Sequence, residues 1–210
     1  MGADERLFSN IHTAGCNRHY IRWHSPSGEE TLSSYVQEVK RQLEHFQSPI
    51  LVGVSLGGII AMELREVMPV QKTILVSSVK TREEMPAYFH WVRALRMNEW
   101  MPPSFMKNST PFIKPFISGT SDEATFRLFK AMLHDTDENF MGWSIRQVLH
   151  WNRISYTPGN LVHIHGTNDF VFPIGNLRSC DYRITGGAHD MILSSPVEIS
   201  EILTREIAKV

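Results

Sequence analysis

Few cysteines, no surplus of either charge and no long apolar run mark this 210-residue chain, and each shortage removes a class of function. Cys16 and Cys180 are the only cysteines and lie far apart, so no metal-type cysteine cluster exists. A reduced, cytoplasmic setting is the natural reading, and a disulfide between the two stays open. The 21 basic and 22 acidic side chains cancel, which argues against nucleic acid or an anionic membrane as partner. No apolar stretch reaches the length of about 18 residues that a membrane span needs. The opening MGADERLFSNIHTAGCNRHY carries charges where a signal peptide requires an apolar core, so a soluble protein retained in the cell is expected. Without a secretion signal, the sequon at Asn108-Ser109-Thr110 reads as an ordinary polar loop. Repeats and low-complexity tracts are lacking as well.

What remains has the balance of a globular protein, with 42% hydrophobic and 20% charged residues. The length suits one core, with room for a sizeable insertion. Residues 49–54 (PILVGV) form a short branched apolar run, the pattern of a strand buried on both faces of a parallel sheet. Ser55-Leu56-Gly57-Gly58 follows at once, and then IIAMELREVM, which suits a helix ending near Pro69. Residues 72–78, 160–165 and 181–185 read as further strands, and 19–24 as another. Residues 32–46 read as an amphipathic helix and 196–210 as a closing helix.

Strands separated by helical stretches imply an α/β fold, a mostly parallel sheet with helices on both faces, built from residues 1–79 and 159–210. Residues 80–158 differ in character. They are crowded with Met, Trp and Phe, broken by Pro102, Pro103, Pro111 and Pro115, and show helical spacing. This segment reads as a helical cap inserted into the sheet domain.

Gly53-Val54-Ser55-Leu56-Gly57 matches G-x-S-x-G at a strand-to-helix junction. A serine hydroxyl attacks a carbonyl carbon only if it projects clear of the backbone and a base removes its proton. A sharp turn achieves the projection at the cost of strained angles, and glycines two before and two after, Gly53 and Gly57, remove side chains that would collide. The turn also points the first amides of the following helix at a developing oxyanion, with the Leu56 N–H as the expected donor. The plain alternative is a glycine-rich turn whose serine only caps the helix.

A base and an orienting acid belong later in the chain, in the order serine, acid, histidine, just past strand ends. Asp169 follows the 160–165 strand in the loop HGTND, and His189 follows the 181–185 strand in GGAH. Both lie where parallel strands present their carboxyl ends, on the same edge as Ser55. An aspartate bonded to one ring nitrogen of His189 would fix its tautomer and stabilise the imidazolium formed when Ser55 gives up its proton. Asp190 adjoins His189 and is the weaker candidate acid, since it points away on steric grounds. His163 and His165 share a strand face and read as core or strand-end histidines, because no third metal ligand is evident. The acidic run at 135–139 lacks the glycine and the terminal glutamate of a calcium loop.

Together GVSLGG, HGTND and GGAH resemble the α/β-hydrolase superfamily, and the opening GADERLF is similar to the stretch after the oxyanion loop of small esterase-like members. The resemblance covers most of the chain outside residues 80–158. It implies hydrolysis of an ester, thioester or amide through an acyl-enzyme, with no cofactor and no metal. The same fold hosts C–C bond hydrolases, haloperoxidase-like enzymes and members that catalyse nothing. It further implies an apolar strand and a glycine loop ahead of Gly2-Ala3-Asp4, beside the elbow strand. The second oxyanion donor then falls on Met1, whose nitrogen is a chain terminus, and loss of one donor typically costs about 10²–10³ in rate. A homodimer or a strand exchange would cover the edge so exposed.

The cap aromatics Trp91, Trp100, Phe105, Phe112, Phe126, Trp143 and Trp151 divide between packing on the sheet and lining an acyl pocket. The expectation is a serine hydrolase for a small, uncharged or apolar acyl substrate. The alternative is a non-catalytic ligand-binding or interaction module of the same fold.

Overall fold

The computed structural model describes residues 3–95 and 123–210. Four parallel strands, β1 (Ile50–Val54), β2 (Lys72–Val76), β3 (Leu161–Gly166) and β4 (Tyr182–Ile184), lie side by side in chain order. The register pairs Val54 with Val76, Val76 with Ile164, and Ile164 with Tyr182, so the strands end along one rim. The loops that leave that rim carry Ser55, Asp169 and His189.

Helices cover both faces because each strand sends alternate side chains to opposite sides. On one face Leu51, Leu75 and Leu161 meet α1 (Leu32–Gln42), α2 (Leu56–Val67) and α5 (Glu138–His150). On the other, Ile74, Val76, Ile164 and Ile184 meet the closing helix α7 (Pro196–Ile207), the short α6 (Met191–Ser194) and Ile11. Ile74 and Leu75 are completely buried, one on each face, and each such burial is worth about 1.5–3 kcal/mol. Helix α1 starts at a reciprocal cap in which the Thr31 hydroxyl accepts from Ser34 N–H and Ser34 Oγ accepts from Thr31 N–H.

Between β2 and β3 the described residues form α3 (Ala87–Ala94), α4 (Glu123–Asp135) and α5 (Glu138–His150) and no strand. Helix α5 joins the central core through Phe140, Trp143 and Val148. Trp143 packs at a tilt against Tyr35, with ring centroids 4.3 Å apart, and donates its indole N–H to the Glu30 carbonyl at 2.6 Å. Phe126 and Trp151 are buried too, whereas Trp91 is 69% exposed; Trp100, Phe105 and Phe112 lie outside the described residues.

Residues 19–24 are not a strand, which corrects the sequence reading. The backbone groups of Arg22 and His24 are bonded by side chains of α1 instead. Gln42 bonds both the N–H and the carbonyl of Arg22, and the Tyr35 hydroxyl does the same for His24. The outer edge of β1 therefore has no ladder partner among the described residues. Pro49 O and Ser55 N face β2, so the alternating groups of Ile50, Val52 and Val54 point outward. An apolar slot of about 450 Å³ runs along this edge, between Leu7 and Leu203 on one side and Val39 and Leu64 on the other. Cys16 and Cys180 are both free thiols.

Candidate active site

Ser55 sits between β1 and α2 with φ 53° and ψ −119°, a left-handed backbone that costs a non-glycine residue about 1–3 kcal/mol. Three contacts enforce it. Ser55 N–H donates to Val76 O (3.1 Å), Gly58 N–H donates to Ser55 O (2.9 Å), and the buried Ser78 hydroxyl donates to the same carbonyl (2.8 Å). A Cβ on Gly53 would lie 2.4 Å from Gly57 O, and one on Gly58 would lie 2.3 Å from Ser78 Oγ. One on Gly57 would meet nothing within 4 Å, so the crowding falls on Gly53 and Gly58 rather than on Gly53 and Gly57.

His189 stands in the loop after β4, and its Nε2 is 2.9 Å from Ser55 Oγ. Its Nδ1 is 2.9 Å from Asp169 Oδ2 in the loop after β3. A carboxylate only accepts, so Nδ1 carries the proton and Nε2 is bare toward the serine hydroxyl. The other carboxylate oxygen, Oδ1, accepts from the N–H groups of Val171 and Phe172, each at 2.9 Å. Burial alone would raise the Asp169 carboxyl. The charge and hydrogen bond of His189, with the Phe172 N–H, outweigh it and hold the group below the usual carboxylate range.

The two loops are stitched together. Thr167 N–H donates to Ile184 O, Asn168 N–H to Gly187 O, and Gly186 N–H to Thr167 Oγ1. Asp190 starts α6, and the carboxylate that bonds the His189 ring is that of Asp169. Leu56 begins α2, and its N–H has no acceptor among the described residues, as first-turn amides have none within their own helix. Met1 lies outside the described residues.

Phe172, Phe89 and Tyr88 carry no signal in sequence. Phe172 sets its ring edge-on to His189 (5.6 Å) and Phe89 packs behind it (5.9 Å). The Tyr88 hydroxyl donates to Val171 O at 3.0 Å; burial and the nearby Asp169 charge push it up to about 12, so it stays a donor. His163 and His165 are fully buried on β3, 3.1 Å apart, directly behind Asp169. Among the described residues, no group of three His, Cys, Asp or Glu could hold a metal ion.

A model of the alpha/beta hydrolase family matches residues 9–202. The chain belongs to that family. Among solved structures it is similar to an esterase from Exiguobacterium antarcticum, with 16% identity and a TM-score of 0.73 over 98% of this chain and 88% of that one. A thermophilic esterase from Thermogutta terrifontis is 13% identical, with a TM-score of 0.69 over 88% of this chain and 74% of that one. A bromoperoxidase from Bacillus anthracis is 14% identical, with a TM-score of 0.64 over 88% and 77%. A search of curated proteins finds no match. At these identities the structural neighbours speak to fold, and it is family membership that supports hydrolysis as the general type of chemistry. No helix among the described residues is long and apolar enough to cross a membrane.

Proposed function

We propose that the protein is a serine hydrolase in which Ser55 is the nucleophile, His189 the general base and Asp169 the orienting acid. The observation that carries this reading is the unbroken relay of 2.9 Å contacts from Ser55 Oγ through His189 to Asp169 Oδ2. In this mechanism His189 Nε2 takes the hydroxyl proton as Ser55 Oγ attacks the acyl carbon, and Asp169 stabilises the imidazolium. The Leu56 N–H donates to the oxyanion, with the N-terminal dipole of α2 in support. His189 then protonates the leaving group, and water, activated by the same ring, hydrolyses the acyl-enzyme, freeing the acid and returning the proton to Ser55 Oγ. The Phe172 ring beside His189, with Phe89 packed behind it, favours a small apolar acyl group of an ester, thioester or amide.

A fluorophosphonate probe and a short p-nitrophenyl ester test the reading. Stoichiometric labelling of the wild type, with labelling and turnover both lost in Ser55→Ala, is expected. Absence of labelling in the folded wild type would reject the reading in favour of a non-catalytic binding module.

A further inference from the structure

We infer that His165 is a positioning residue for this site, holding the Asp169–Phe172 loop so that the carboxylate and the His189 ring keep their mutual geometry. The inference rests on the triad reading above. His165 is wholly buried on β3 and touches none of the groups that would react. Its Nε2 lies 2.7 Å from Phe172 O and 3.4 Å from Asp169 Oδ2. Both neighbours only accept, so Nε2 bears the proton and serves the two of them, more directly the carbonyl.

Phe172 is the piece through which His165 acts. One residue accepts from His165 with its carbonyl, donates from its own N–H to Asp169 Oδ1, and lays its ring against His189. A shift at that carbonyl therefore moves a donor to the acid and a wall of the base together. Misplacement of a reacting group by about 1 Å can cost on the order of 10² in rate.

The second histidine fixes the first. With the proton on Nε2, His165 Nδ1 is a lone pair, and His163 Nε2–H donates to it at 3.1 Å. The ionisable groups facing this pair are Asp169 and His189 from the loops, and Lys80 and Glu84 from the stretch after β2. Burial keeps both rings neutral: it lowers His165 against the opposing charges of Asp169 and Glu84, and it drives His163 down to about 3 with the help of His165 and Lys80. The donor toward the acid therefore does not change over the working pH range.

The test compares wild type, His165→Leu and His165→Gln on a p-nitrophenyl ester, with thermal melts to establish folding. The glutamine amide can reach the place of Nε2 and donate, whereas leucine cannot. The leucine variant is expected to lose about tenfold to hundredfold in kcat with KM little changed. Removing a donor near Asp169 Oδ2 leaves the carboxylate more basic, so the acid limb of its kcat/KM profile moves up by about half a pH unit. The glutamine variant recovers most of kcat and the wild-type limb. If the leucine variant does not fold, His165→Asn, whose amide is too short to span to Phe172 O, replaces it under the same criteria. A folded leucine or asparagine variant with wild-type kcat and pH profile overturns the inference, as does a folded glutamine variant that recovers neither. Wild type that fails to label with the fluorophosphonate probe sinks the triad reading and this inference with it, whereas labelled wild type with indifferent His165 variants sinks this inference alone.

Discussion

Gly166 and Gly187 touch across the gap between the loop that carries Asp169 and the loop that carries His189: a Cβ on Gly166 would lie 2.1 Å from Gly187 O. The contact is backbone against backbone, so no side-chain rotation relieves it. It is what lets the end of β3 approach the His189 loop closely enough for Asn168 N–H to reach Gly187 O and for Asp169 to reach His189.

Gly166→Ala is accordingly expected to push the two loops apart. Overpacking of this kind typically costs about 1–3 kcal/mol. The loss of alignment should lower kcat/KM by a factor on the order of 10². A melting curve and ester kinetics read the two effects, and an alanine variant with unchanged kcat/KM would show that the glycine contact does not set the relay.

Asp169→Asn gives a sharper outcome, because the backbone dictates how the amide must sit. Val171 and Phe172 present two N–H groups to Oδ1, so the asparagine oxygen stays there and its NH₂ group turns to His189. That group donates to Nδ1, which forces the ring proton onto Nε2, where it faces Ser55 and blocks the base. A fall in kcat of about 10⁴ with the fold intact is expected. Retention of more than a tenth of wild-type kcat would show that His189 does not depend on this carboxylate.

The parts of this site legible in sequence are those written in local chemistry. Buried parallel strands are continuous apolar runs, so β1, β2 and β3 stand out with the glycine turn and the loops that follow them. The stretch at 19–24 misleads for the same reason in reverse. Its HYIRWH alternation satisfies the strand pattern, but the backbone groups of Arg22 and His24 bond to Gln42 and Tyr35 on α1 rather than to a neighbouring strand. Gly58, Ser78, His165 and Phe172 matter through contacts with segments 20 or more residues away or through the fold of a loop, and no spacing rule encodes those.

The tryptophans divide by burial rather than by their place in the chain. Trp143 is 1% exposed, packed against Tyr35 and hydrogen-bonded to Glu30 O, so Trp143→Ala should cost about 3–5 kcal/mol. Trp91 on α3 is largely exposed, and Trp91→Ala should change stability by no more than about 0.5 kcal/mol. Urea denaturation of the two variants decides the matter. Equal losses would mean that α3 is packed as firmly as α5.

Acid sensitivity should trace in part to His163. Burial holds its folded-state value near 3, far below the ordinary 6.5. Between those limits the unfolded chain binds a proton that the native ring refuses, so stability falls as pH drops below 6.5 and is unaffected by this group above it. One such proton is worth up to about 1.4 kcal/mol per pH unit. His163→Gln keeps a donor for His165 Nδ1 but has nothing to protonate. It should be less stable than wild type at pH 7 yet lose stability more slowly on acidification. The comparison belongs between about pH 5 and 7, above the range in which the lowered carboxyls Asp169 and Glu206 take up protons. Identical slopes of unfolding free energy against pH for the two proteins would mean that the native His163 ring takes up a proton as readily as the unfolded chain does.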